Sequence, residues 1–398
     1  MGSAVIVDIV RTGSGKGKPG GALSGVHPVN LLAETLRALL GRNDIDPATI
    51  DDVIAGCVSQ AGEQTLNIAR NAILAAGIPP ESVPPGTTVD RQCGSSQQAV
   101  HFAAQGVIAG AYDIVVACGV ESMSRVPMGY SSVDQDPNRG PLSARYPEGL
   151  IGQGVSAELI AARWKLDRET LDQYAARSHQ RAAQVAEVGG FKREIVPITV
   201  DGQVHDTDQT LRASTTVEGL GGLKPSFADE ALQQRFPEIN WSITPPGNSS
   251  PLTDAASAVL IMSEKKASEL GLTPRARFAD FAVTGSDPLL MLTGVIPPAT
   301  EKVLARSGLS IDDIDAYEVN EAFAPVPLAW QQDLKADPEK LNPRGGGAIA
   351  LGHALGGASG VRLLATLVNH LEDTGGRYGL QTMCEGGGMA NATIIERI

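Results

Sequence analysis

The sequence predicts an α/β protein made of two similar βαβ-type halves, with a further domain inserted between them. Three observations carry that prediction. Short β-branched and apolar runs alternate with segments of helical spacing through the first 120 residues and again beyond residue 273. The unit Asp44-Ile45-Asp46-Pro47-Ala48-Thr49-Ile50-Asp51-Asp52, leading into Val53-Ile54-Ala55, returns in outline as Gly308-Leu309-Ser310-Ile311-Asp312-Asp313-Ile314-Asp315, leading into Ala316-Tyr317-Glu318-Val319. Between the halves the texture changes: Pro127, Pro137, Pro141 and Pro147 punctuate irregular sequence that ends in Thr244-Pro245-Pro246-Gly247-Asn248-Ser249-Ser250-Pro251. The expected division is residues 1–120 with 250–273 as the first core domain, 121–249 as the inserted loop domain and 274–398 as the second core domain.

Taken in order, Ala4-Val5-Ile6-Val7-Asp8-Ile9-Val10 reads as a short strand. The following Arg11-Thr12-Gly13-Ser14-Gly15-Lys16-Gly17-Lys18 has no Gly-x-x-x-x-Gly-Lys-Ser/Thr register, so it is read as a flexible basic turn and not a phosphate loop. Residues 28–41 place Leu31, Leu32, Thr35, Leu36, Leu39 and Leu40 on one helical face. A strand follows around Val53–Val58, then a helix from about Asn67 to Ala76, closed by Gly77. Thr87-Thr88-Val89 reads as a strand, the Ala-rich stretch after Cys93 as a helix to about Gly110, and Ile114–Ala117 as a strand reaching Cys118. In the inserted part an amphipathic helical section runs from about Ser156 to Val188. The second half offers a strand at Ala276–Val283, helices near 299–306 and 360–372, and a strand from Gly379 that ends in Cys384, as the first-half strand ends in Cys118. Each half then forms a mostly parallel sheet covered by helices.

The formal net charge of −13 argues against nucleic acid or an anionic membrane as the main partner. No apolar run approaches the roughly 18 residues of a membrane span, and the first residues are a strand with no signal peptide, which points to a cytoplasmic protein. The four cysteines, Cys57, Cys93, Cys118 and Cys384, form no Cys-x-x-Cys pair, which speaks against a metal site or a disulfide framework. Cys57 and Cys118 lie in apolar runs and read as core fillers.

Cys93 is different, because it sits with Gly94, Ser95 and Ser96 between strand and helix. Backbone N–H groups and the helix dipole at such a turn favour a thiolate; a buried small residue at a turn is the alternative. Three further stretches stand near expected strand ends. Asn320-Glu321-Ala322-Phe323 holds an amide that is either a helix cap or a site residue, and a carboxylate that equally suits a structural ion pair. Gly352-His353-Ala354 lies among glycines, where backbones approach a ligand closely, although a lone histidine is often structural. Cys384-Glu385-Gly386-Gly387-Gly388 puts a second thiol before a glycine-rich turn. The remaining histidines, His27, His101, His179, His205 and His370, are read as structural.

Together the four stretches resemble the motifs of the thiolase family, and the resemblance runs nearly end to end, with Gly119-Val120-Glu121-Ser122-Met123-Ser124 and Leu220–Phe227 adding to it. It implies the thiolase fold, with two core domains around a CoA-binding loop domain, assembled as a homodimer or homotetramer. It implies thiolytic cleavage of a 3-ketoacyl-CoA to acetyl-CoA and a shortened acyl-CoA, with coenzyme A as co-substrate and no metal or redox cofactor. In its terms Cys93 is the acylated nucleophile, His353 its base and Cys384 the acid/base on the α-carbon. Asn320 with His353 forms one oxyanion hole, and the N–H groups of Cys93 and Gly386 form the other. The loop-domain pattern points to Arg212, Leu223, Phe227 and Ser250 for CoA, with a solvated surface charge as the other reading of Arg212. The chain departs from the family pattern at Ala354, in place of proline, in the added glycines near 345–347 and 356–357, in Asp254-Ala255 in place of Asp-Gly, and at Gln153, where short-chain members carry Met. Val89–Gln98 and Gln381–Glu385 resemble degradative actinobacterial-type members, some of which take steroid-derived esters. A biosynthetic acetoacetyl-CoA thiolase is the nearest alternative, and an inactive acyl-CoA-binding scaffold a more distant one. A decarboxylating ketosynthase would want a second histidine where Asn320 stands.

Overall fold

In a computed structural model that describes residues 2–398, the chain forms one large mixed sheet covered by helices. Nine strands make its path: β1 (Ala4–Thr12), β2 (Asp52–Gly56), β3 (Gly86–Val89), β4 (Ile114–Ser122), β5 (Thr253–Ser263), β6 (Ala276–Gly285), β7 (Ala316–Val319), β8 (Tyr378–Glu385) and β9 (Met389–Arg397). Their order is β7-β8-β9-β6-β1-β5-β4-β2-β3. Read outward from the β1–β6 junction, each half has a first strand, an antiparallel neighbour, then parallel strands. The second half lacks a full counterpart of β3; a single parallel bridge between Tyr317 and Leu341 stands in its place.

The duplication extends to single atoms. One Asp51 carboxylate oxygen accepts from the N–H groups of Asp113 and Ile114, and one of Asp315 accepts from those of Arg377 and Tyr378. Each therefore fixes the start of the parallel strand beside it. Asp8 in β1 and Asp280 in β6 both follow a bulge and both accept from the next N–H group. These pairs set the alignment of the halves: Cys118 corresponds to Thr382, and Cys384 to Val120. The expected match of Cys118 with Cys384 is thus two residues out, because continuous apolar runs in buried strands carry no period that fixes register.

The longer helices are α1 (Pro28–Arg42), α2 (Ile68–Ala75), α3 (Ser95–Ala109), α4 (Gln153–Arg163), α5 (Arg168–Glu187), α6 (Pro298–Ser307), α7 (Pro325–Leu334) and α8 (Leu355–Thr374). The six residues expected on the inner face of α1 are buried or nearly so. Asn67 caps α2 by accepting from Arg70 N–H. The section expected as one helix from 156 to 188 is two, broken at Lys165 with its positive φ of 57° and restarted by the Asp167 cap. Helix α8 begins at Leu355, five residues before its expected start, because its first turn is glycine-rich and hides the helical pattern. Those glycines pack: side chains at Gly356, Gly357 and Gly360 would overlap Gln92, Val120 and Gln97, so α8 lies hard against α3 and β4. The basic turn after β1 is also ordered. Gly15–Lys16 pairs with Thr253 and Asp254 of β5, and Gly17 donates to Leu252 O at 2.8 Å.

Candidate active site

Cys93 lies where strand β3 turns into α3, as expected from its neighbours. The turn is tied internally: Arg91 N–H donates to Ser95 Oγ (2.9 Å), which donates to Gln92 O (2.6 Å). The thiol is buried beside Leu363 and Met383. Burial, with the nearby Glu385 carboxyl, pushes its pKa up to about 12, against the opposing pull of the Gln153 amide and the N–H groups of Gly386 and Cys93 itself. The expectation that the turn alone would favour a thiolate is therefore corrected: desolvation outweighs the local donors, and the resting group is a thiol.

Cys384, on β8, is completely buried, and burial followed by the charge of Cys93 pushes its pKa well above the ordinary value. That influence of one thiol on the other places the two close together. Asn320 follows β7 and faces Cys384, easing its ionisation, yet neither of its amide atoms makes a directed hydrogen bond among the described residues. Asn320 is not a helix cap, since α7 begins only at Pro325.

His353 stands two residues before α8. Its Nδ1 lies 2.8 Å from Ser359 Oγ and its N–H donates to Thr253 Oγ1, while Nε2 is buried with no partner among the described residues. Burial and the charge of Arg362 lower its pKa to about 3, so the imidazole is neutral with one nitrogen held and the other free. The loop that delivers it is anchored by Glu321. Its carboxylate accepts from Tyr174 and Ser178 hydroxyls, the Asn342 amide, and the N–H groups of Ala348 and Ile349, all at 2.9–3.0 Å. Glu321 is thus a structural acceptor, and its donors are amides and hydroxyls instead of a cation.

A cavity of about 600 Å³ is lined by His353 and Gln153 and by Lys16, Lys18, Arg212 and Phe323 among others, while Cys93, Asn320 and Cys384 lie outside its lining. Gln153 also borders Gly386, with its Nε2 3.3 Å from where a Cβ at that residue would lie. Of the four candidate CoA contacts, Arg212 and Ser250 line the cavity. Arg212 is no free surface charge: it donates to Pro246 O (2.6 Å) and lies 3.1 Å from His179 Nε2. Ser250 is seated by its N–H and hydroxyl, both donating to Ala322 O. Leu223 and Phe227 stand outside the lining; Phe227 packs edge-on behind Phe323 at 6.2 Å, and Leu223 is 42% exposed.

Sequence reasoning missed Lys16 and Lys18, whose glycine-rich setting suggested mobility but reflects close strand pairing. It also missed Ser359, the partner of His353, for which a serine six residues downstream gives no signal.

Two family matches cover almost the whole chain: the thiolase N-terminal domain at residues 4–265 and the thiolase C-terminal domain at 272–397. A steroid 3-ketoacyl-CoA thiolase of Mycobacterium tuberculosis, FadA6, is 47% identical across 100% of this chain and 95% of its own length. A 3-ketoacyl-CoA thiolase of Photobacterium profundum is 44% identical, with both chains fully covered. Among solved structures, a Bacillus anthracis acetyl-CoA acetyltransferase matches with a TM-score of 0.88 and 35% identity, over 100% of this chain and 99% of that one.

Proposed function

The chain belongs to the thiolase family and has its fold and its acyltransferase activity, thiolysis of 3-ketoacyl-CoA, and we propose that Cys93, His353, Cys384, Asn320 and Gly386 carry that chemistry. The observation that supports these roles best is one cluster. Cys384 feels the charge of Cys93 and the amide of Asn320, and Gln153, which faces Cys93, lines one cavity with His353 and its free Nε2.

In this reading His353 Nε2 takes the Cys93 proton, and the thiolate attacks the 3-keto carbon. A buried thiol and a neutral imidazole resist ionising singly; as a pair, thiolate and imidazolium attract each other in a low dielectric. The tetrahedral oxyanion then meets the N–H groups of Cys93 and Gly386, both of which face Cys93. The C2–C3 bond breaks, its electrons pass to the acetyl-CoA enolate, and Cys384 protonates C2. Asn320 and His353 serve the enolate oxygen. Free CoA, its thiol proton passing to Cys384, attacks the acyl-Cys93 and releases the shortened acyl-CoA.

We assign residues 121–249 to CoA binding, with Arg212 and Ser250 in direct contact, Phe227 supporting Phe323, and Leu223 at the outer edge. Lys16 and Lys18 add positive charge for the phosphates of CoA. The acyl group is larger than acetoacetyl: Gln153 replaces the Met expected of short-chain members, and the name of the M. tuberculosis relative points to bulky esters. Assembly as a homodimer or homotetramer is supported by the exposed apolar residues Leu66, Met128, Tyr130 and Val133. Among the described residues no helix is long and apolar enough to cross a membrane. All four cysteines are unpaired, which suits a reducing compartment such as the cytoplasm.

The test is to incubate the protein with a 3-ketoacyl-CoA in the absence of CoA and map the mass adduct. We expect acyl-Cys93; an acyl group on Cys384 or Cys57, with Cys93 unmodified, overturns the assignment. Specificity constants for acetoacetyl-, medium-chain and ring-bearing 3-ketoacyl-CoAs test the pocket. The highest value on acetoacetyl-CoA would favour the biosynthetic alternative.

A further inference from the structure

Glu385 follows the acid/base thiol and has no part in the chemistry described so far. It is completely buried, and neither carboxylate oxygen has a hydrogen-bond partner among the described residues. Along β8 alternate side chains share a face, so Glu385 points to the side of Met383, which packs against Cys93. Its Oε1 fills the space next to Gly94, where any Cβ would overlap it. The glycine after the nucleophile thus makes room for this carboxyl. Around it stand two more unpartnered polar atoms, Arg91 Nε and Asn391 Oδ1, while Asn391 Nδ2 donates to Gly94 O at 3.0 Å.

We propose that Glu385 is a positioning residue for thiolysis: wedged under the nucleophile turn, its carboxyl must stay protonated for Cys93 to ionise, and its own ionisation limits thiolate formation at alkaline pH. The proposal rests on the thiolase reading for its consequence in catalysis. The charged and titratable groups that face Glu385 are Arg91 and Asp90 from the β3–α3 turn, Cys93 from the same turn and Cys384 from its own strand. Burial raises the carboxyl to about 8, with Arg91 opposing and Asp90 adding to the shift. Near neutral pH it is therefore a neutral neighbour of both thiols. Once ionised it sets a negative charge beside the place where Cys93 must become negative.

The experiment follows the alkylation of Cys93 by iodoacetamide, mapped by mass spectrometry from pH 6 to 10, in the wild type and in Glu385→Gln. Below pH 7 the two should react at a constant ratio. Above pH 8 the wild type should fall behind by about tenfold, the ratio that one unit of thiol acidity represents. A ratio that stays constant throughout overturns the proposal. Should Glu385→Gln not fold, Glu385→Met is the second uncharged variant. The wild type alone is also diagnostic, since an unbroken unit slope of log rate against pH through 7–9 overturns the proposal. Alkylation needs no acyl-CoA, so a wild type inactive in thiolysis would refute the catalytic reading and leave this coupling to be judged by its own slope.

Discussion

Glu121 and Glu385 occupy the same position in the two halves of the sheet, and they are treated in opposite ways. Glu121 accepts from the N–H groups of Val58 and Ser59 at 3.0 Å and from the Gln64 amide at 2.9 Å. Glu385 is as deeply buried and accepts from nothing among the described residues. The same contrast recurs one strand away. The end of β2 is Gly56-Cys57, small and inert; the equivalent pair at the end of β7 is Asn320-Glu321, with a free amide and a carboxylate that holds five donors. Framework residues such as Asp51 and Asp315 are satisfied alike in both halves. Duplication therefore kept the polar groups that fix the strands. The second half departs at its strand ends, where the polar atoms of Asn320 and Glu385 are buried without partners among the described residues, a costly arrangement that points to function.

Paired substitutions at equivalent positions break or sharpen this contrast. The largest effect is expected at Cys384 and its counterpart Val120. Cys384→Ala should lower α-proton exchange in acetyl-CoA by about 10²–10⁴-fold while Cys93 still accepts an acyl group from a simple acyl-CoA. Val120→Ala should leave exchange near the wild-type rate. Exchange persisting in Cys384→Ala would remove the chemical distinction between the halves. Next in size is Glu321 against Cys57. Glu321→Ala strands five buried donors and frees the loop that carries His353, so chemical denaturation should show a loss of at least about 3 kcal/mol, with a fall in kcat. Cys57→Ala removes one small buried group and should cost about 1 kcal/mol. Equal losses would mean that Glu321 is not the anchor of the loop.

Much of this was legible beforehand, and unevenly so. The duplicated Asp–Ile–Asp units, the strand-turn-helix around Cys93 and the inner face of α1 follow from local pattern, which periodicity reports well. The register of the halves did not, because β4 and β8 are buried apolar strands with no alternation to count. Glycines were the second source of error. At Gly17, Gly356 and Gly360 they mark close approach between elements far apart in sequence, whereas sequence reading suggests mobility or a break. The proposed site residues Cys93, Asn320, His353 and Cys384 were visible as motifs. What they lack, a partner for each free polar atom, depends on the assembled neighbourhood and has no signature in the chain.

The last pair is the most direct test of the contrast, the isosteric change of each equivalent glutamate to glutamine. At Glu121 every carboxylate oxygen already faces a donor, so an NH₂ group in place of either oxygen sets donor against donor and leaves one N–H group without an acceptor. The cost of those lost bonds should be about 1–3 kcal/mol. At Glu385 no donor is lost, because none is present. Linkage then decides the sign. Burial holds the folded carboxyl at about 8 against an ordinary 4.5, so between those values the native state binds the proton that the unfolded chain releases. The stability this lends the wild type is full below the ordinary value and is lost as pH rises through about 8. Glutamine carries no such proton. Relative to wild type, Glu385→Gln should therefore gain stability steadily as pH rises from 5 to 8 and level off above it; burial raises Glu121 as well, with its donors opposing the shift. Thermal denaturation of both variants at pH 5, 6.5, 8 and 9 separates the two behaviours. A Glu385→Gln curve parallel to the wild type across that range would mean that the carboxyl finds a partner in solution, and the two halves would then be alike.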